Sequence, residues 1–210
     1  MRPPEDWRRA RVTLAIVAVT AAAWLLSLSQ PLDYLSLRGG FIPARVDGGT
    51  WPGLPVWLTP LSATLLHISF VHLLFNMMFL AICGRAVEPV LGAKSLVALY
   101  LIGAFAAAAA QWAAAPQVQV PMIGASGAVS AVLGAYTMLF GRNKVRVKNA
   151  NLAVWLNALW LAAAWVGMQA LIGFTLGSSG PRIAIAAHIG GFVAGLVLAK
   201  PLLLLKWRGA

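Results

Sequence analysis

Apolar residues in this chain come in long blocks. Runs at 12–29, 61–83, 93–115, 122–141, 152–172 and 183–199 are separated by polar or glycine- and proline-bearing segments. Each run is close to the ~20 residues that an α-helix needs to cross a ~30 Å hydrocarbon core, the last at the short end. A helix that is apolar on all sides has no solvated face, so the pattern predicts an all-α membrane protein with six transmembrane helices. One long segment breaks the rhythm. Residues 30–60 carry Pro31, Gly39, Gly40, Pro43, Gly48, Gly49, Pro52, Gly53, Pro55 and Pro60, together with Phe41, Trp51 and Trp57. Its length and aromatics predict a structured loop between helices 1 and 2, lying at the membrane interface. The expected organisation is a cytoplasmic N-terminal segment at 1–11, a membrane domain at 12–199 and a cytoplasmic tail at 200–210. A basic start before an apolar run also suits a cleaved signal, but the run of 18 residues exceeds a signal core and further spans follow, so the first helix is read as retained.

Composition supports the membrane reading and limits what the charge can mean. Hydrophobic residues make up 60% of the chain and charged ones 10%, against about 25% charged in a soluble domain. The formal charge of +11 would suit nucleic acid if the cations shared one exposed face; here they sit between apolar runs, so no nucleic-acid partner is expected. With the amino terminus in the cytoplasm, the cytoplasmic segments hold 13 of the 16 basic residues, leaving Arg38, Arg45 and Arg182 outside. The positive-inside rule therefore puts both termini in the cytoplasm, as in a bacterial inner membrane protein. The lone Cys83 excludes an intrachain disulfide and reads as a small buried hydrophobe.

Polar groups inside the runs are few. All three histidines, His67, His72 and His188, lie within them, whereas Asp, Glu and Arg are absent there; intramembrane ionisable groups are costly and usually functional. Counting from the outer ends of runs two, four and six, His67, Ser126 and His188 each lie roughly 6 to 10 Å deep. Ser126 sits in Ile123-Gly124-Ala125-Ser126-Gly127, a small-residue turn at the mouth of a helix, where free N–H groups favour developing negative charge. Position 128 is alanine, so the soluble hydrolase elbow G-x-S-x-G is not matched. A plain capping or packing role would also explain such a serine. Ser126, Ser130 and Gly134 share one helical face, as do His188, Gly191 and Gly195, and two smooth faces permit close approach.

These residue types suit acyl transfer. Ser126 needs a base to remove its proton, and His188 can do this and later protonate the leaving amine. No span offers a carboxylate, so a Ser126–His188 dyad is expected rather than a triad. His72 and Asn76, four apart on one face, and the Ser126 N–H are candidate oxyanion donors. Three imidazoles can hold zinc, but that would leave Ser126 unexplained and no carboxylate base nearby. A transporter would be expected to show related halves with interrupted helices. No metal and no cofactor are therefore expected.

The pattern resembles the rhomboid intramembrane serine proteases. The resemblance rests on His67-x4-His72-x3-Asn76, on Gly124-Ala125-Ser126-Gly127 and on Ala187-His188-x2-Gly191-x3-Gly195, in order over roughly 57–199. It implies a rhomboid-like six-helix bundle, Ser126 as nucleophile, His188 as base, and His72 and Asn76 on the oxyanion. It also implies supporting roles for His67, Gly124, Gly127, Gly191 and Gly195, and a structural role for Glu88 in the connector Gly84–Glu88. Substrates would be single-span membrane proteins met within the lipid bilayer; an inactive relative would instead grip client helices without cutting them. Two departures stand out. Where some members carry an aromatic residue four after the serine this chain has Ser130, and where some have Trp-Arg in the first loop it has Trp57-Leu58. The loop Gly173–Gly180 suits a cap, and run five, with Trp155, Trp160 and Trp165, suits the side that yields to substrate.

Overall fold

A long helix, α1 (Arg11–Ser27), opens the membrane region without a capping side chain of its own. Its first-turn donors are taken instead by a carboxylate from another helix. Val12 N and Thr13 N donate to Glu88 Oε1 and Oε2 at 2.9 and 2.8 Å, and Thr13 Oγ1 donates to Oε2 at 2.7 Å. A negative charge at this end also complements the helix dipole. The computed structural model describes residues 7–141, 149, 152, 153, 156, 159–161, 163–165, 167 and 184–207. Of the expected features, Trp155, Arg182, the basic segment at 142–148 and the loop Gly173–Gly180 lie outside the described residues.

The segment after α1 is ordered by hydrogen bonds to its own turns and to the chain before Ser126. Helix α2 (Leu32–Gly39) is followed by a single antiparallel bridge, Phe41 with Met122, made by both N–H···O bonds at 3.0 and 2.7 Å. Arg45 is buried and donates Nη2 to Leu54 O at 2.6 Å; loss of water lowers its pKa from the usual value. Ser62 Oγ, at the end of the short helix α3 (Thr59–Ser62), donates to Gly39 O at 2.6 Å. Of the aromatics expected at the interface, Trp57 is exposed, but Phe41 is buried because the bridge to Met122 turns it inward.

Run two does not begin its helix at 61. Residues 63–65 form a 3-10 turn, 66–69 are non-helical, and α4 spans Phe70–Leu91, with Ser69 Oγ accepting from His72 N at 3.2 Å as its cap. Cap chemistry overrides apolar continuity here: a serine with extended backbone resets the helix start. At the far end α4 runs through Gly84–Glu88 and Pro89, so that stretch is helix rather than connector. The turn into α5 (Ala93–Ala114) is Gly92 alone, at φ +90°. Then come α6 (Ser126–Phe140), helical residues within 152–167, and α7 (Ile185–Trp207), which extends beyond the expected 199 through Pro201.

Helix α6 is the centre of the bundle, with 11 of its 15 residues buried among α4, α5 and α7. The outward surface is apolar as well. Val19, Leu25, Ile82, Ile102, Phe105, Val193, Val197 and Leu204 are all exposed. Large hydrophobics on both the inside and the outside belong to a protein solvated by lipid. Helices α4, α5 and α7 are long and apolar enough to cross a bilayer by themselves, whereas α1 and α6 are shorter, at 17 and 15 residues. The described residues are helices and turns, with no strand among them.

Candidate active site

The chain reaches Ser126 through a turn that only glycine fits well. Gly124 has φ +118°, a region that L side chains avoid, and a Cβ there would lie 2.6 Å from His72 Cε1 and 3.0 Å from Nε2. Its N–H donates to Ala63 O at 2.8 Å, and the next, Ala125 N, donates to His67 Nε2 at 3.4 Å. Held from both sides, the backbone enters α6 with Ala125 as the N-cap and Ser126 at the first helical position. The N–H groups of that first turn have no intrahelical acceptor and point out of the helix mouth.

His188 comes from α7, which lies against α6 at backbone contact. A Cβ on Gly191 would overlap Gly127 O, one on Gly195 would overlap Ala131 O, and one on Gly134 would overlap Phe192 O. Gly127 in turn faces Ala107 of α5, where no further side-chain carbon fits. These absent methyl groups bring the two faces, Ser126/Ser130/Gly134 and His188/Gly191/Gly195, together. The result is His188 Nε2 at 2.7 Å from Ser126 Oγ, both residues buried. Nδ1 of His188 is buried with no hydrogen-bond partner among the described residues.

His72 lies over Gly124, its ring 5.1 Å from that of His67 in an edge contact. Asn76 is fully buried; Nδ2 donates to His72 O at 2.9 Å, which leaves one amide hydrogen and an unpartnered Oδ1. His67, counted within run two and toward its loop end, sits in the non-helical stretch before α4 and accepts from the Ala125 N–H. Below the serine, Ser130 Oγ donates to Ser126 O at 2.7 Å and accepts from Trp165 Nε1 at 2.8 Å. Trp165 is buried whereas Trp160 is exposed, so the tryptophans of run five do not share one environment. Neither the Ser130–Trp165 contact nor the Ala63 carbonyl was singled out by spacing, because both partners are distant in sequence.

Chemically, the arrangement offers a hydroxyl bonded to an imidazole at a helix mouth, with a second imidazole over the glycine turn that leads into it. Among the described residues no three of His, Cys, Asp and Glu converge as a metal-ligand set.

Comparison with known proteins bears on the family of the chain. The family model for the rhomboid domain matches residues 55–205. The chain is 30% identical to the rhomboid protease GlpG of Haemophilus influenzae over 195 residues, covering 90% of both chains. It is 30% identical to the rhomboid protease GlpG of Pectobacterium atrosepticum over 90% of its own length and 61% of that protein's. With the rhomboid protease GluP of Bacillus subtilis the identity is 30%, over 70% of this chain and 26% of the relative. The chain thus spans between a quarter and three fifths of the length of the latter two.

Proposed function

Because this chain belongs to the rhomboid family, an integral membrane family that includes the two GlpG relatives named as proteases, we propose that it is an intramembrane serine endopeptidase working through a Ser126–His188 dyad. The observation that carries this reading is the 2.7 Å contact between Ser126 Oγ and His188 Nε2. In the acylation step His188 Nε2 takes the Ser126 proton as Oγ bonds to the scissile carbonyl carbon, using the tautomer with its own proton on Nδ1. The oxyanion is met by the Ser126 N–H, the free amide hydrogen of Asn76 and the His72 ring. As the tetrahedral carbon collapses, the C–N bond breaks and the proton on Nε2 passes to the leaving amine. Water then repeats the sequence on the acyl ester, returning Ser126 and releasing a carboxylate.

The substrate class follows from the position of the site. A peptide bond within an intact helix is shielded, so single-span membrane proteins with small or helix-weakening residues near the outer face are the proposed substrates. The proposed arrangement is a six-span domain at 12–199 in a bacterial inner membrane, with tails 1–11 and 200–210 in the cytoplasm, working without a cofactor. The test is cleavage of a panel of single-span substrates by the purified protein, beside Ser126→Ala and His188→Ala. Wild-type cleavage lost in both variants is the expected result; cleavage that survives Ser126→Ala would overturn the serine mechanism.

A further inference from the structure

Among the described residues one hydrogen bond fixes the His188 ring, and it goes to the group the ring must deprotonate. With Nδ1 unpartnered there, no described hydrogen bond on the far side of the imidazole stops it from turning about its Cβ–Cγ bond, as one to a carboxylate would. Packing has to supply the constraint. The indole of Trp165 meets the imidazole in an edge contact, with centroids 6.5 Å apart and planes at 64°, within the range that aromatic pairs favour. Trp165 is itself fixed twice. Its Nε1–H donates to Ser130 Oγ at 2.8 Å, and its other contact is an edge packing on Phe79 of α4 at 4.3 Å.

Ser130 is fully buried and stands one turn after the nucleophile, its own hydroxyl proton given to the Ser126 carbonyl at 2.7 Å. A serine bonding back four residues is an ordinary way to satisfy a hydroxyl in a helix. Here the same oxygen also receives the indole proton, so it fastens an aromatic ring from a separate helical segment to the helix that carries Ser126. Resting on the proteolytic reading above, we propose that Ser130 and Trp165 are positioning residues: Ser130 ties the indole to α6, and the indole holds the His188 imidazole in line with Ser126 Oγ. The absence of an aromatic side chain at position 130 is then met by one that reaches the base from elsewhere in the bundle.

The test uses wild type, Ser126→Ala, Ser130→Ala, Trp165→Phe and Trp165→Leu in detergent, with two readouts. One is the limiting rate at which a small fluorophosphonate labels Ser126, which needs no helix to enter; the other is kcat and KM for a cleavable single-span substrate. Labelling is expected to fall about tenfold in Ser130→Ala and Trp165→Leu, a misalignment below the ~100-fold that a 1 Å displacement can cost. Trp165→Phe, which keeps a ring beside His188 but loses the N–H, should fall by about as much as Ser130→Ala. Adding Ser130→Ala to Trp165→Phe should cost nothing more, because the shared bond is already gone. KM is expected to stay unchanged in Ser130→Ala. Full labelling in both Ser130→Ala and Trp165→Leu, or an effect confined to KM, overturns the inference while leaving the dyad intact. Wild type that labels no faster than Ser126→Ala overturns the proteolytic reading, and this inference with it. Should Trp165→Leu fail to fold, as thermal unfolding would reveal, Ser130→Ala and Trp165→Phe decide.

Discussion

The sharpest consequence of the backbone contact between α6 and α7 concerns Gly191→Ala, a change of one methyl group outside the reacting atoms. The added carbon would fall on Gly127 O and lie 3.3 Å from Ser130 Cβ. Restoring an allowed C···O separation of about 3.3 Å moves the helices apart by on the order of 1 Å. His188 is three residues away on the same face of α7, so Nε2 would move from 2.7 Å to roughly 3.5 Å or more from Ser126 Oγ, beyond the ~3.2 Å reach of a proton-transferring bond. The expected loss in kcat is about 100-fold. Overpacking of this kind costs about 1 to 3 kcal/mol, so the variant should remain folded. The assay pairs substrate cleavage and fluorophosphonate labelling with thermal unfolding, and uses Gly167→Ala, where a Cβ meets none of the described residues within 4 Å, as the control. A folded Gly191→Ala protein that labels and cleaves at the wild-type rate would refute the claim that helix separation sets the Ser126–His188 distance.

Three further outcomes are expected. Asn76→Ala removes the buried amide beside the site and should lower kcat by about 100- to 1,000-fold with little change in KM, measured by steady-state cleavage. Glu88→Gln weakens the three bonds that begin α1 and should cost about 2 kcal/mol in chemical denaturation while labelling of the folded fraction persists. Gly124→Ala forces an L side chain to φ +118° against the His72 ring; strain of about 1 to 3 kcal/mol should lower the unfolding midpoint, and labelling of Ser126 should be lost.

Much of the site was legible in the sequence because its logic is local. Serine at a glycine-flanked helix start, and glycines at i+3 and i+7 from a histidine, state a helix mouth and a smooth face without any knowledge of neighbours. The helix ends were less legible. Apolar continuity from 61 hid the cap at Ser69, so His67 was placed on α4 when it belongs to the turn before it. The apolar letters at 122–125 hid four non-helical residues before α6. What could not be read at all was contact between elements far apart in sequence. Nothing in the spacing links Glu88 with Val12 and Thr13, or Trp165 with Ser130; each pair is a hydrogen bond that the bundle creates on closing.

Those non-helical residues shorten the central helix at the end that carries Ser126. At 1.5 Å per residue the 15 residues of α6 span only about 22 Å, short of a ~30 Å core. Irregular backbone at membrane depth is tolerated only when protein or a watery cavity surrounds it. Here the approach to Ser126 is satisfied by the preceding loop: Met122 pairs with Phe41, Gly124 N with Ala63 O, and Ala125 N with His67. The loop's first task is therefore to complete the hydrogen bonds that a full-length helix would have made for itself. On the proteolytic reading, the first-turn N–H groups of α6 and the Ser126 hydroxyl are the groups left to meet an incoming peptide. An untied approach segment would leave buried backbone donors without acceptors. The short central helix and the ordered loop are thus one device, and the dyad sits where they meet.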